Sequence, residues 1–448
     1  MAGGLMQLVA YGAQDVFLTG TPKVTFFQAV YKRHTNFAME TIEQTINGNA
    51  GDDGRLSVTI ARNGDLVGDM FVELQAKAGL KPVSSGGEAD ACWLAERAVK
   101  SVEMSIGGQR IDKHYQIWWR LYSELYLNAD KKAQWGKMTS VPALSAAGDK
   151  VYLPLLFFFN RNAGLYLPLI ALQYHEVRLD FDLAADYSEY FGTNSPKVWA
   201  NYIYLDTEER RRFAQKGHEY LIEQVQHTGT DSVTRGATKQ IRLSFNHPVK
   251  ELVWCFNGGA GDRVKENGHW NFSSNAGANA VTLSCSTDFG GLGAGAESFV
   301  RPEVAGAPQL VSGSVTDTTQ HFDVGGMWTE EGDASATTAV GPLSNFKLVL
   351  NGQDRFKEQP GKYFNQVQPN QYHTGCPYPG IYSYSFALKP EEHQPSGTCN
   401  FSRIDNAQVA VTMKADALAA SPETMHLFAC NYNVLRIQSG MGGLAFSN

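Results

Sequence analysis

Apolar residues recur at every second position in short segments along the whole chain. Leu56, Val58 and Ile60 alternate with polar residues, as do Val102, Met104 and Ile106, and then Val177, Leu179, Phe181 and Leu183. The second half continues with Ile241, Leu243 and Phe245, with Phe346, Leu348 and Leu350, with Tyr382, Tyr384, Phe386 and Leu388, and with Val409, Val411 and Met413. A period of two predicts strands, each turning one face to a core and the other to water or a neighbour. The run "LPLLFFFN" at Leu153–Asn160 is apolar at both parities, which predicts a strand covered on both sides. Helical periodicity is sparse. Ile117, Leu121 and Leu125 stand four apart within "HYQIWWRLYSELYL" and predict one amphipathic helix. Asp206 and Thr207 are candidate caps of a short helix in "DTEERRRFAQK", and "TFFQAVYKRH" near the start is a third helical candidate.

The order of these segments repeats. Gly107-Gly108-Gln109 aligns with Asn351-Gly352-Gln353 at an offset of 244, and "VRLDFDL" aligns with "VAVTMKA" at an offset of 232. "VYLPLLFFF" and "IYSYSFAL" precede the latter pair at similar spacing, and "VWANYIYLDTEERRRF" and "LFACNYNVLRI" follow it. Identity is weak residue by residue, so the shared order carries the inference of two copies of one β domain, joined near Arg212–Gln224. Many strands, long connections and few helices favour a β-sandwich, and among sandwiches the jelly roll accommodates long end loops. The two Gly-Gln stretches suit turns with positive φ that end one strand and redirect the chain. They read as the same corner in two copies of one sandwich.

At 448 residues the chain exceeds one ordinary core. No run of about 18 apolar residues marks a membrane-spanning helix. The start, "MAGGLMQLVAYGAQDVF", lacks a basic region followed by a long apolar stretch, so no signal peptide is expected. The net charge of -7 argues against wrapping nucleic acid. That charge is unevenly placed: Asn257–Leu343 holds ten Asp or Glu against Arg263, Lys265 and Arg301. The segment reads as a long acidic surface loop carried by the second domain, with Ala129–Lys150 its smaller counterpart in the first. Cysteines 92, 255, 285, 376, 399 and 430 form no C-x-x-C pair and read as reduced, mostly buried thiols.

Candidate chemistry is thin. "GGLGAGA" at Gly290–Ala296 lacks the flanking strand and helix that aim amides at a pyrophosphate, and no cofactor is expected. No two histidines stand one residue apart on a strand, the usual metal pair of a jelly roll, so no metal is expected either. His175 and Glu176 would face opposite sides of a strand, and His218, His227 and His247 fall in different elements. Asp180 and Asp182 share a strand face and read as solvated acids rather than a glycosidase pair. No catalytic residue is assigned. The basic cluster in "EERRRFAQK" reads as a solvated or interdomain helix, with an anionic partner the second reading. Sequons occur at Asn271 and Asn400; Asn271 is the candidate glycosylation site, and Asn400 is expected to be buried beside a strand.

Several long stretches carry a resemblance: "MAGGLMQLVAYGAQDVFLTG", "TFFQAVYKRHTNFAMETIEQTING", "IGGQRIDKHY", "LPLIALQYHEVRL", "LNGQDRF", "FALKPEEHQPSGTCNFSRIDNA" and "NYNVLRIQSGMGGLAF". Colinear from first residue to last, they resemble the major capsid proteins of nucleocytoplasmic large DNA viruses, above all those of algal phycodnaviruses and chloroviruses. The pattern departs in Asn257–Leu343, in Ala129–Lys150 and at "ALAASPETM", and no Asn-Thr-x-Thr stretch is present. The resemblance implies an all-β double jelly roll, two eight-stranded antiparallel sandwiches with long loops and a few short helices. It implies residues 1–25 as an arm on the inner side of a shell, 26–213 as the first jelly roll and 214–448 as the second. It further implies a non-enzymatic homotrimer, a pseudo-hexagonal capsomer tiling the icosahedral capsid of a double-stranded DNA virus assembled in host cytoplasm. Its partners would be itself, neighbouring capsomers and minor capsid proteins, with no direct nucleic acid and an internal membrane nearby but not entered. On that reading the two corners persist because a trimer needs six similar edges. The alternative is a carbohydrate-binding or carbohydrate-cleaving β-sandwich, which predicts an aromatic-lined groove with paired carboxylates.

Overall fold

The computed structural model describes the chain except residues 1–2, 11, 79–92, 141–148, 193–195, 259–280, 285–300, 305–340, 376, 378–379, 415–422 and 447–448. Two units separate, Met1–Phe37 and Ala38–Asn448. The first holds two short helices, α1 (Gly3–Val9) and α2 (Ala13–Thr19). Its large apolar side chains lie in the open: Phe17, Phe26 and Phe27 are each more than nine-tenths exposed. "TFFQAVYKRH" forms turn and extended chain rather than the expected helix. Phe26, Phe27, Val30 and Tyr31 are all exposed, and tertiary packing of an apolar face supplies most of a helix's stability.

Among the described residues of the second unit, sixteen strands make two equivalent windings, with shorter strands such as Ile46–Gly48 and Met441–Leu444 added at their margins. Those of the first half are β1 (Phe37–Gln44), β2 (Arg55–Thr59), β3 (Leu66–Gln75), β4 (Val99–Ile106), β5 (Gln109–Tyr115), β6 (Lys150–Pro154), β7 (Val177–Leu183) and β8 (Lys197–Leu205). Those of the second are β9 (His218–Val233), β10 (Thr238–Leu243), β11 (Pro248–Gly258), β12 (Leu343–Leu350), β13 (Gln353–Asp354), β14 (Ile381–Ser385), β15 (Ala407–Met413) and β16 (Glu423–Gln438). The first set forms sheets ordered β1-β8-β3-β6 and β2-β7-β4-β5. The second forms sheets ordered β9-β16-β11-β14 and β10-β15-β12-β13. Adding eight to each strand of the first half gives the second, so one jelly-roll winding is laid down twice. The fold is a double jelly roll.

The alternating segments behave as period two requires in β7 and β15, and in β4 from Val102 on, where every second side chain is buried. The expected strand at Leu153–Asn160 is shorter: β6 ends at Pro154, and Phe158–Arg161 is a helical turn. Phe157, Phe158 and Phe159 are nonetheless all buried, so burial on every side was legible while the element type was not. Helix α3 (Gln116–Leu125) buries Ile117, Leu121 and Leu125 as expected. Helix α4 (Thr207–Gln215) starts on the Asp206 carboxylate, which accepts from the Thr207 amide at 2.8 Å. It buries none of its residues, and Arg210 reaches back to Asp65 at 2.8 Å.

In the sheet β9-β16-β11-β14, strands β11 and β14 and the middle of β16 are buried on both faces, while the edge strand β9 is largely open. Leu252, Trp254 and Phe256 of β11 enter the core of their own sandwich with Phe346, Val409 and Leu427. Val253 and Cys255 of the same strand join the first sandwich's core, as do Phe428 and Cys430 of β16. All five residues of β14 are buried. The expected alternation over Tyr382, Tyr384, Phe386 and Leu388 therefore ends at Ser385, and Leu388 is exposed. Two-sided burial removes the polar face on which a period of two depends.

Candidate functional site: two corners and the joint between the sandwiches

Both Gly-Gln stretches are two-residue hairpin turns. Gly107 and Gly108 connect β4 to β5 with φ of 57° and 85°. Asn351 and Gly352 connect β12 to β13 with φ of 50° and 80°. Positive φ at both central residues is the turn whose twist matches paired strands, and glycine and asparagine tolerate it best.

Their surroundings differ. The second corner is open: Asn351, Gly352 and Gln353 are exposed, and the Asn351 side chain accepts from the Asn406 amide at 3.0 Å. The first corner is built into the joint between the sandwiches. A Cβ on Gly107 would lie 2.4 Å from Nδ1 of His175, whose ring is 2.9 Å from the Gly442 carbonyl. The Gln109 side chain accepts from the Leu444 amide at 3.1 Å. Leu444 lies on the short strand Met441–Leu444, which pairs with β16. His175 and Glu176 precede β7 rather than alternating on a strand, because residues 171–176 are still turn.

The joint combines apolar contact with buried polar groups. Trp118 of α3 packs on Phe428 with ring centroids 5.5 Å apart. Asp112 accepts from the Val225 amide at 3.1 Å and pairs with His114 at 3.0 Å, and His114 stacks on Phe157. The Gln224 amide donates to the Ile111 carbonyl, and its oxygen accepts from Asn433 at 3.0 Å. At the far end, Arg161 of the first sandwich lies 3.0 Å from Glu223 of the second, and Lys250 lies 2.7 Å from the same carboxylate. Burial alone would push the Glu223 carboxyl up, but Arg161 and Lys250 hold it below the usual carboxylate range. The Tyr126 hydroxyl donates to Glu251, and burial first, then Cys430 and Glu251, push that phenol well above its usual range. His373 stands 3.3 Å from Glu251 and 3.5 Å from Glu391.

None of these joint residues was singled out from the sequence as a site. One signal was available: Lys250-Glu251 interrupts the otherwise apolar run "VKELVWCF", and a buried charge pair in a strand requires partners.

The remaining candidates resolve into structural contacts. Asp182 meets Arg55 at 3.1 Å and Ser101 at 2.9 Å, and Asp180 meets Arg178 at 2.7 Å. His218 and His227 fall on one strand, β9, contrary to expectation, but nine residues apart and therefore on opposite faces. His218 contacts the Phe213 carbonyl, while His227 stacks on Phe428. Among the described residues no cluster of His, Cys, Asp or Glu has the arrangement of a metal site. Asn400 is exposed rather than buried, because its strand Cys399–Asn400 lies at a margin, paired only to Pro248 and Val249. Cys255, Cys399 and Cys430 are in no disulfide. Asn271, Cys92, Cys285, Cys376, "GGLGAGA" and nearly all of the acidic segment lie outside the described residues. A groove of about 610 Å³ between β5 and β9 is lined by Arg110, Lys113, Tyr115, Gln226 and Asn246 among others. Its lining has one carboxylate, Asp112, which is turned inward onto His114. That is not the paired-carboxylate geometry of a glycosidase.

Comparison with known proteins gives the same architecture a family. Residues 25–206 match the family model described as major capsid protein N-terminus. Residues 209–443 match the large eukaryotic DNA virus major capsid protein model. The chain is 44% identical to the major capsid protein of Paramecium bursaria Chlorella virus 1, over 100% of both chains. Among solved structures it resembles the VP54 chain of that virus, PBCV-1, fitted into a reconstruction of the virophage Sputnik, with a TM-score of 0.72, 40% identity and coverage of 95% of this chain and 100% of that one. It resembles a chain of the quasi-atomic model of the PBCV-1 capsid equally well, with a TM-score of 0.71 at the same identity and coverage. With its double jelly roll and end-to-end similarity, the chain belongs to the major capsid proteins of large eukaryotic DNA viruses and is a structural component of the virion shell.

Proposed function

We propose that this chain assembles as a homotrimer forming a pseudo-hexagonal capsomer that tiles an icosahedral shell. One observation carries the reading: the same strand order, wound twice in one chain, turns three chains into six similar units around one axis. Both corners are exposed, and the exposed Asn351-Gly352 corner offers an edge to a neighbour, whereas the Gly107-Gly108 corner is braced from behind by His175 and by the Gln109 bond to Leu444. The six units are thus alike in winding and unlike at this corner. Residues 1–25 form an arm on the inner side of the shell, where exposed Phe17 meets minor capsid proteins above an internal membrane. The jelly rolls span 26–213 and 214–448, and the acidic segment at 257–343 lies outside with Asn271 as a candidate glycan site. Assembly takes place in host cytoplasm and involves no catalytic step.

The test is the mass and outline of the purified full-length protein. A stable particle at three times the chain mass with a hexagonal outline in electron micrographs is the expected result. A monomer under every assembly condition tried would overturn the reading.

A further inference from the structure

We infer that the outward face of the sheet β1-β8-β3-β6, centred on Phe71, Trp199 and Tyr152, is the contact of this chain with a second copy of itself. It seats against the second sandwich of that copy, over β13 and the helical residues 363–372. The inference rests on the homotrimer proposed above and names the surfaces that would hold it together.

The joint inside one chain is the template. There the second sandwich turns the sheet β9-β16-β11-β14 toward the first, which receives it with β5 and α3. Phe428 of β16 packs on Tyr115, the last residue of β5, with ring centroids 6.4 Å apart, and on Trp118 of α3 at 5.5 Å. Adding eight to each strand carries β1-β8-β3-β6 onto that sheet and β5 onto β13. The helical residues 363–372 follow β13 as α3 follows β5. Head-to-tail contacts between similar units form a ring when their rotation closes. A ring of three two-sandwich chains has two kinds of contact, one inside each chain and one between chains. The second kind is the first with the halves exchanged.

The two equivalent faces differ in cover. Val253 and Phe428 are direct partners on β11 and β16, and both are fully buried. On the equivalent strands β3 and β8, Phe71 and Trp199 are direct partners too, yet both are part-exposed. Met70, Val72, Val198 and Ala200 enter the core, so Phe71 and Trp199 point outward. Tyr152 of β6 extends the patch, 5.8 Å from Phe71 between ring centroids. The Trp199 indole donates to Glu73 at 3.1 Å, and Lys150 lies 2.7 Å from the same carboxylate. The indole is thus fixed before a partner arrives, which lowers the cost of binding. Aromatic rings with a polar surround are the usual centre of a protein contact.

The receiving side fits in shape class and in charge. It offers Phe356, half-buried, and Val367, 40% exposed. Residues 353–372 hold Arg355, Lys357 and Lys362 against Asp354 and Glu358, an excess of one base. The outward face holds Glu43, Asp69 and Glu73 against Lys150 and Lys197, an excess of one acid. Opposite signs favour this pairing over two copies of either face meeting.

The experiment is site-specific photo-cross-linking of the full-length protein, with benzoylphenylalanine in place of Tyr152. The particle at three times the chain mass is isolated first and then irradiated. A two-chain product should form, and peptide mapping should place its link in residues 353–372 of the other chain. A link to any other segment, or no two-chain product from that particle, would overturn the inference and leave the trimer standing. A monomer before irradiation overturns both. Trp199→Asp is the second arm. With an unchanged far-ultraviolet circular dichroism spectrum, it should sediment as a monomer at concentrations where the wild type has three chain masses. A folded Trp199→Asp variant that still forms the wild-type particle would also overturn the inference. If that variant does not fold, the cross-link decides.

Discussion

Arg161, on the first sandwich, lies 3.0 Å from the carboxylate of Glu223, on the second, and Lys250 closes the same carboxylate from its own side. The pair links the halves where apolar contact gives way to solvent. Replacing Arg161 with Met keeps the stem and removes the charge, leaving Glu223 with one cation. Stability should fall by about 2 kcal/mol, the usual loss when a bond to a partly buried charge is removed. The midpoint of urea unfolding at neutral pH measures it.

Acid should weaken the same region. Burial opposes ionisation of Glu223 and of Glu391, but Arg161 and Lys250 hold the first below its usual range, and His373 and Thr374 hold the second below its own. Carboxyls depressed by folding contribute stability above their unfolded value, and it is lost as pH falls through the folded one. Urea midpoints should therefore decline below about pH 4. A Glu223→Gln, Glu391→Gln double variant, less stable at neutral pH, should show a shallower decline over that range.

The two corners should respond unequally to the same substitution. Gly352→Ala places a methyl in open space and meets only the cost of positive φ, about 1 kcal/mol. Gly107→Ala meets that cost and also drives a Cβ into the His175 ring, displacing its contact with Gly442. It should cost about 2–3 kcal/mol in total. Thermal unfolding of the two variants side by side would show the order.

Cys430 should be silent toward thiol reagents in the folded protein. Burial first, then the Glu251 charge, pushes its thiol well above the ordinary value, and the thiol is the poor nucleophile. Peptide mapping after alkylation at about pH 8 should show Cys430 unmodified in the native protein and modified in denaturant.

The winding was legible because strands with one wet face advertise themselves. Val102, Met104 and Ile106 alternate, and so do Val409, Val411 and Met413, and their common order exposed the duplication. Where a strand is dry on both sides the signal fails. The run at Leu153–Asn160 reads as one strand, yet Phe158–Arg161 is a helical turn, and the pattern read through Leu388 overruns β14. The joint was illegible for a different reason. Tyr126, Glu251, His373 and Glu391 are far apart in sequence, and nothing local distinguishes a carboxylate that meets water from one that meets an imidazole. Only the fold brings them together.

The doubly covered part of the sheet β9-β16-β11-β14 also sets the smallest piece of this chain that can exist alone. Cut between the halves, the second sandwich would show Val253, Cys255 and Phe428 to water, and the first would lose the lid over Trp118. The repeated winding is not two interchangeable parts. Neither half keeps its apolar surface covered without the other, so the two windings form one cooperative core.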